Sequence, residues 1–224
     1  MIKGIIFDFN GTLFQDSDKH EAAWRQFALE QFDRQISDEE FIKNIHGKTN
    51  HAAVEYIAGK SLSFSEVQVY VEQKEINYRK LCEQDTVHCR LEDDVLRLLD
   101  TLKKRNFPIT IATAAPKSNL DFYIRKFHLQ NWFDLKKIVS DNGMIPGKPE
   151  PDFYLHAAEA IHIPASECLV FEDAVSGIQS AYRAGIGQII AIDYSGTFSE
   201  LLRKQPGVSG IIHSFDEFDS EHLF

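Results

Sequence analysis

The sequence is poor in the features that announce secreted, membrane-bound and nucleic-acid-coating proteins. Its three cysteines, Cys82, Cys89 and Cys168, form no Cys-x-x-Cys pair and leave an odd one over, which argues against a disulfide framework and for a reducing cytosol. No stretch approaches the roughly 20 apolar residues of a membrane helix. The N-terminus also lacks the charged and apolar regions of a secretion signal. The expectation is a cytoplasmic chain with no membrane partner, in which Asn10-Gly11-Thr12 is a glycosylation sequon in form only. A net positive charge is absent too: the net charge of −10 at pH 7 gives no general nucleic-acid footprint, although a local basic pocket is compatible with it. Repeats, low-complexity tracts and coiled-coil heptads are absent, so nothing signals an oligomeric state.

What is present is an ordered alternation. Short β-forming runs recur at 3–9, 107–113, 135–140, 168–173, 187–193 and 208–214. From residue 92 onward they are separated by helix-like segments at 92–106, 117–127, 151–161 and 174–185, the pattern of βα units around a parallel sheet. Residues 16–83 contain no strand run. Apolar residues recur there at helical spacing, with Ala23, Phe27 and Phe32 in one stretch and Val67, Val71 and Ile76 in another. Ser37 and Glu40 have the spacing of a capping box. These patterns predict an α/β core from residues 1–15 and 90–224, with a helical cap over 16–89 inserted after the first strand.

In open α/β sheets ligands gather beyond the carboxyl ends of the strands. Four such ends carry polar groups: Asp8, Thr113, Lys148 in the loop 147–152, and Glu172-Asp173. Singly each has an ordinary reading, as a turn aspartate, a strand threonine, a loop lysine and a helix N-cap. Together they supply what phosphoryl transfer requires. A carboxylate, Asp8, can attack phosphorus and split one displacement into two. Glu172 and Asp173 can hold a divalent cation, and Lys148 offsets the negative charge. Thr113 with the main chain near Ala114, and the Gly11-Thr12 turn, can hold the transferring oxygens.

These residues resemble the motifs of the haloacid dehalogenase superfamily. "DFNGT" (8–12) is similar to its first motif, Asp-x-Asp-Gly-Thr/Val; Thr113 matches the second, Lys148 in "GKPEPDFY" the third, and "FEDAVSGIQSAYRAG" (171–185) the fourth. The insert resembles the cap of the β-phosphoglucomutase-like and phosphoglycolate-phosphatase-like branch, where His20 and Trp24 match a His-x-x-x-Trp. The resemblance implies a Rossmann-like core with the active site under the cap, and Asp8 as nucleophile. It also implies Mg²⁺ held by Asp8, the main-chain carbonyl of Asn10 and Asp173, with Thr113 and Lys148 on the phosphoryl group. In the cap, His20, Trp24, His46, Gly47, Lys48 and Lys74 are candidates to face a small phosphorylated metabolite. Retention of the acidic pair disfavours dehalogenation. "GKT" (47–49) is no P-loop, because the glycine needed five places earlier is Ile42.

One position departs from the motif. Asn10 stands where the family carries the aspartate that exchanges a proton with the leaving group and with water. An amide cannot do this at neutral pH, and general acid–base catalysis is worth about 10² to 10⁴ in rate. Three readings stay open: a hydrolase working through Asp8 with another acid/base such as His20, a sugar phosphomutase, and a phosphate-ligand binder or sensor with little turnover. Asn10-Gly11 is also a deamidation-prone pair that could restore a carboxylate.

Overall fold

A computed structural model describes residues 1–45 and 48–223 of the chain. The chain divides into two compact units, Met1–Gln15 with Arg90–Phe224, and Asp16–Cys89.

The first unit is built on a six-stranded parallel sheet of order β3-β2-β1-β4-β5-β6. The strands are β1 (Gly4–Phe7), β2 (Ile109–Pro116), β3 (Val139–Asp141), β4 (Cys168–Glu172), β5 (Gln188–Ile192) and β6 (Val208–Ile212). From β1 the chain steps outward to β2 and β3, returns to β4 on the other side of β1, and continues to β5 and β6. The reversal of direction falls at β1, where such sheets open a crevice at their carboxyl ends. All four residues of β1 are buried, as expected of a central parallel strand covered on both faces.

Alternation along the strands sorts the core into two faces. Ile6, Ala112 and Val170 pack with Phe153, Tyr154, Ala157, Ile178, Ala181 and Leu202. Phe7 points the other way and stacks on Phe171 at 5.4 Å between centroids, with Phe133 and Phe215 edge-on to it.

The second unit is helical: α1 (Ser17–Phe32), α2 (Asp38–Asn44), α3 (Asn50–Ala58) and α4 (Phe64–Gln84). Ser37 and Glu40 form both halves of the capping box at the start of α2, and Ser63 with Glu66 repeats it at α4. One reading of this unit needs correction. Val67 and Val71 are buried but Ile76 is 38% exposed. Nine residues make about two and a half turns, so Ile76 faces away from Val67. The buried face of α4 instead continues through Lys74, Glu75, Tyr78 and Cys82.

The remaining helices belong to the core: α5 (Asp93–Lys104), α6 (Lys117–Phe127), α7 (Asp152–Ala160), α8 (Val175–Arg183) and α9 (Ser199–Arg203). The sequence pattern did not foresee α9, which is short. Residues 135–137, read as the start of a strand, form a 3-10 turn, and β3 begins at Val139. No helix among the described residues is long and apolar enough to cross a membrane.

Candidate active site

At the end of β1 apolar burial gives way to a carboxylate. Phe7 is in register with Ile111 of β2 and Phe171 of β4, so the next residues, Asp8, Ala112 and Glu172, come side by side at the carboxyl edge. The Asp8 N–H still donates to the Phe171 carbonyl at 3.0 Å, which holds the main chain of Asp8 against β4.

The chain then turns tightly. The Gly11 N–H donates to Phe14 O at 2.7 Å and the Phe14 N–H to Phe9 O at 2.9 Å. Gly11 has φ +79°, and a Cβ there would lie 2.1 Å from Asp173 Oδ2. Glycine therefore lets the β1 turn lie directly against the carboxylate at the end of β4. Its own N–H is committed to the turn, so its part is clearance rather than a bond to a ligand. Thr12 is fully buried, and its hydroxyl donates to Asp173 Oδ1 at 3.2 Å.

Lys148 is the hub of the site. Its Nζ lies 2.6 Å from Asp8 Oδ1, 2.8 Å from Glu172 Oε1, 3.1 Å from Tyr154 Oη and 3.3 Å from the Ala112 carbonyl. Burial alone would lower the pKa of this ammonium, but the Asp8 and Glu172 carboxylates outweigh it and hold the pKa well above the ordinary lysine value. The loop bearing Lys148 is tied down from α8, where Ser180 Oγ donates to Glu150 O at 2.5 Å and Arg183 to Pro149 O at 3.2 Å. The Tyr154 hydroxyl donates to Glu172 Oε1 at 3.0 Å. Burial, then the Glu172 charge, pushes its pKa well above the phenol range, so it stays a donor.

Glu172, expected beside Asp173 as a metal ligand, is differently placed. Its Oε1 accepts from Lys148 and Tyr154, and its Oε2 accepts the Ala174 N–H at 2.8 Å. It stands as the counter-charge of Lys148 rather than as an open oxygen ligand. Gly177 makes this possible, since a Cβ there would fall 1.5 Å from Glu172 Oε1.

Asn10 is held on both sides of its amide. Thr113 Oγ1 donates to Asn10 Oδ1 at 3.3 Å, and Asn10 Nδ2 donates to Tyr123 Oη at 2.7 Å. Thr113 Oγ1 also accepts the Ala115 N–H at 3.0 Å, while Ala114 between them is exposed. Tyr123 is fully buried and stacks on Phe9 at 4.4 Å.

The structure thus gathers Asp8, Asn10, Gly11, Thr12, Thr113, Lys148, Glu172 and Asp173 at one edge of the sheet. Asp8, the Asn10 carbonyl and Asp173 offer hard oxygen donors only, a set that suits Mg²⁺ with retained waters and does not suit zinc. Among the described residues no three His, Cys, Asp or Glu side chains form a closed metal cage.

Within the helical unit, three of the candidates cluster. Lys74 is 2% exposed; its Nζ lies 2.7 Å from His20 Nδ1 and 2.9 Å from Glu75 Oε1, and it sits 5.0 Å from the Trp24 ring centroid. The His20 ring stacks on Tyr78 at 4.0 Å, and His20 Nε2 is 3.4 Å from Asp16 Oδ2, which Tyr78 also bonds. Lys48 is exposed on the segment after α2. His46 and Gly47 lie outside the described residues.

Sequence reasoning passed over Tyr123, Tyr154 and Gly177. The tyrosines sit among core aromatics and read as packing. The signal for Gly177 was its place in the first turn of the helix that follows the acidic pair.

Comparison with known proteins places these features. Residues 2–185 match the family described as haloacid dehalogenase-like hydrolase. The chain is similar to hexitol phosphatase A of Escherichia coli, 29% identical over 194 residues covering 85% of this chain and 83% of that protein. It is also similar to the β-phosphoglucomutase of Bacillus subtilis, 26% identical over 193 residues covering 83% and 81%. Among solved structures it is similar to a haloacid dehalogenase hydrolase of family IA, variant 3, from Entamoeba histolytica, with TM-score 0.92 and 37% identity over 99% of this chain and 97% of that one. With its six-stranded parallel core and its helical insert, this chain belongs to the haloacid dehalogenase-like hydrolase family.

Proposed function

We propose that the protein is a Mg²⁺-dependent hydrolase of small phosphorylated metabolites, sugar phosphates foremost, working through a phosphoryl group transferred to Asp8. The observation that carries this reading is the Lys148 ammonium 2.6 Å from Asp8 and 2.8 Å from Glu172. It sets a permanent positive charge beside a carboxylate at the mouth of the sheet. The two named relatives, a hexitol phosphatase and a β-phosphoglucomutase, support the substrate class. The three free thiols suit a reducing, cytoplasmic setting.

In this reading an Asp8 oxygen attacks phosphorus, the bond from phosphorus to the ester oxygen breaks, and the alcohol leaves. Water then attacks the acyl phosphate, releasing inorganic phosphate and regenerating Asp8. Lys148 and the Thr113 hydroxyl bind the phosphoryl oxygens, and Glu172 and Tyr154 hold Lys148 in place. Asp8, the Asn10 carbonyl and Asp173 would hold Mg²⁺, which supplies positive charge for an anionic carboxylate meeting an anionic phosphate. Asn10 can orient groups through its amide but cannot carry a proton, so the leaving oxygen takes its proton from water. Turnover is correspondingly slow and favours good leaving groups.

The test is a panel of phosphorylated metabolites with and without Mg²⁺, run on the protein and on Asn10→Asp, with intact mass measured to detect deamidation. The expected result is Mg²⁺-dependent phosphate release that rises in Asn10→Asp by about 10² or more. Mg²⁺-dependent ligand binding with no release from either protein would favour a sensor. Transfer between two positions of one sugar would favour a mutase.

A further inference from the structure

The end of β5 carries none of the groups assigned so far, yet it is bound to the site. Tyr194 lies just past β5, half-buried, and its hydroxyl donates to the main-chain carbonyl of Thr12 at 2.7 Å. β5 and β1 are not neighbours, because β4 runs between them. The side chain therefore reaches past the end of β4 to the turn that follows β1.

The loop that sends it there is anchored on one buried residue. Asp193 is 5% exposed. Its Oδ1 accepts from Ser195 Oγ at 2.9 Å, and its Oδ2 accepts from the Phe198 N–H at 2.8 Å and from Ser199 Oγ at 2.7 Å. Its N–H donates to Ile212 O at the end of β6, and its carbonyl accepts from the Gly196 N–H and from His213 Nδ1. With Asp193 fixed on this many bonds, the direction of the next residue is fixed as well.

At the receiving end, Thr12 is held twice. Tyr194 takes its carbonyl, and its hydroxyl is bonded to Asp173. Gly11, one residue back, is the position where any added Cβ would collide with Asp173. The bond to its carbonyl restrains the main chain at Thr12, the residue whose hydroxyl meets Asp173 and whose preceding glycine lets the turn lie close to that carboxylate.

We propose that Tyr194 is a positioning residue, whose bond to the Thr12 carbonyl fixes the Gly11-Thr12 turn against Asp173. Its consequence for metal and phosphoryl binding rests on the function proposed above; its consequence for the turn does not.

Tyr194→Phe removes the hydroxyl and keeps the ring. The direct readout is hydrogen exchange at the Gly11 and Phe14 amides, both closed inside the turn, compared with amides of β4 and β5. Exchange at the two turn amides should rise about two- to tenfold, the range one neutral hydrogen bond is worth, while the strand amides stay within about twofold. The Mg²⁺ concentration giving half-maximal hydrolysis of p-nitrophenyl phosphate should rise by a similar factor, with the KM for the ester changed less. Ser199→Ala, which removes one bond to Asp193, should produce a smaller rise at the same two amides. Unchanged exchange at Gly11 and Phe14 overturns the proposal, and so does a rise shared equally by β4 and β5, which would mean general loosening. If the unaltered protein hydrolyses no ester, the proposed function fails, while the exchange measurement still decides the role of Tyr194.

Discussion

Replacing Lys148 with methionine tests the electrostatic centre of the site most directly. Lys148→Met keeps the apolar stem and its approximate volume and deletes the ammonium. The lysine side chain is 7% exposed, and those of Asp8 and Glu172 are 10% and 2% exposed. The substitution therefore leaves two nearly buried carboxylates facing a vacated cation. Removing one partner of a buried ion pair destabilises by about 3–5 kcal/mol. Domains are stable by only about 5–15 kcal/mol in total. In a unit of this size about 3–5 kcal/mol corresponds to roughly 6–20 °C in Tm. Guanidinium unfolding, followed by near-ultraviolet circular dichroism, measures the change. A double-mutant cycle identifies its cause. Glu172→Gln removes one of the two buried charges left uncompensated, so Lys148→Met with Glu172→Gln should be less destabilised than the sum of the singles by about 1–3 kcal/mol. A Lys148→Met variant within about 1 kcal/mol of the parent, or a strictly additive pair, would refute the view that the lysine exists to neutralise these carboxylates.

Three further outcomes follow from other contacts. Gly177→Ala places a Cβ 1.5 Å from Glu172 Oε1, so Glu172 must leave Lys148; overpacking of about 1–3 kcal/mol and a loss of phosphate release are expected, read by Tm and by the ester assay. Tyr123→Phe removes the acceptor of the Asn10 amide and should destabilise by about 1 kcal/mol, an effect that is smaller when measured in an Asn10→Ala background. The Glu40 carboxyl is held down to about 2, first by the Ser37 N–H and then by Arg34, Tyr56 and the Ser37 hydroxyl. A depressed carboxyl stabilises above its unfolded value near 4.5 and loses that contribution as pH falls through about 2. The gap in urea midpoint between the parent and Glu40→Gln should therefore be full at pH 7 and shrink steadily below about pH 4.5.

The fold was legible because its strands announce themselves twice, by apolar runs and by the polar residue that ends each run. "GIIF" followed by Asp8, and "CLVFE" followed by Asp173, are buried strands closing on a carboxylate. Ser37 and Glu40 likewise form a local device whose spacing alone defines it. What periodicity could not resolve was the sense of burial on α4. There an ion pair, Lys74 with Glu75, occupies the inner face and Ile76 the outer one. Composition scores the isoleucine as core, whereas mutual compensation allows the charges inside. The tyrosines were hidden for a related reason. Tyr123, Tyr154 and Tyr194 look like packing residues, and only the sheet order shows that their hydroxyls arrive at Asn10, Glu172 and Thr12. Long-range bonds of this kind leave no mark in local sequence.

The surroundings of Asn10 bear on why an amide stands there. One face of the side chain receives the Thr113 hydroxyl and the other gives its N–H to the Tyr123 oxygen. Both partners are hydroxyls, and a hydroxyl can donate as readily as it accepts. A carboxylate of the same shape would accept a hydrogen bond from Thr113 as Oδ1 does now, and the Tyr123 hydroxyl, which accepts from the amide, carries an O–H able to donate to it instead. Neither of these two hydroxyls therefore demands an amide. Toward these two hydroxyls the difference between the side chains is one of proton chemistry and charge. Asn10→Asp therefore adds to the site a group that can exchange a proton and, with it, a negative charge, so its effect on turnover is read beside its effect on the Mg²⁺ requirement.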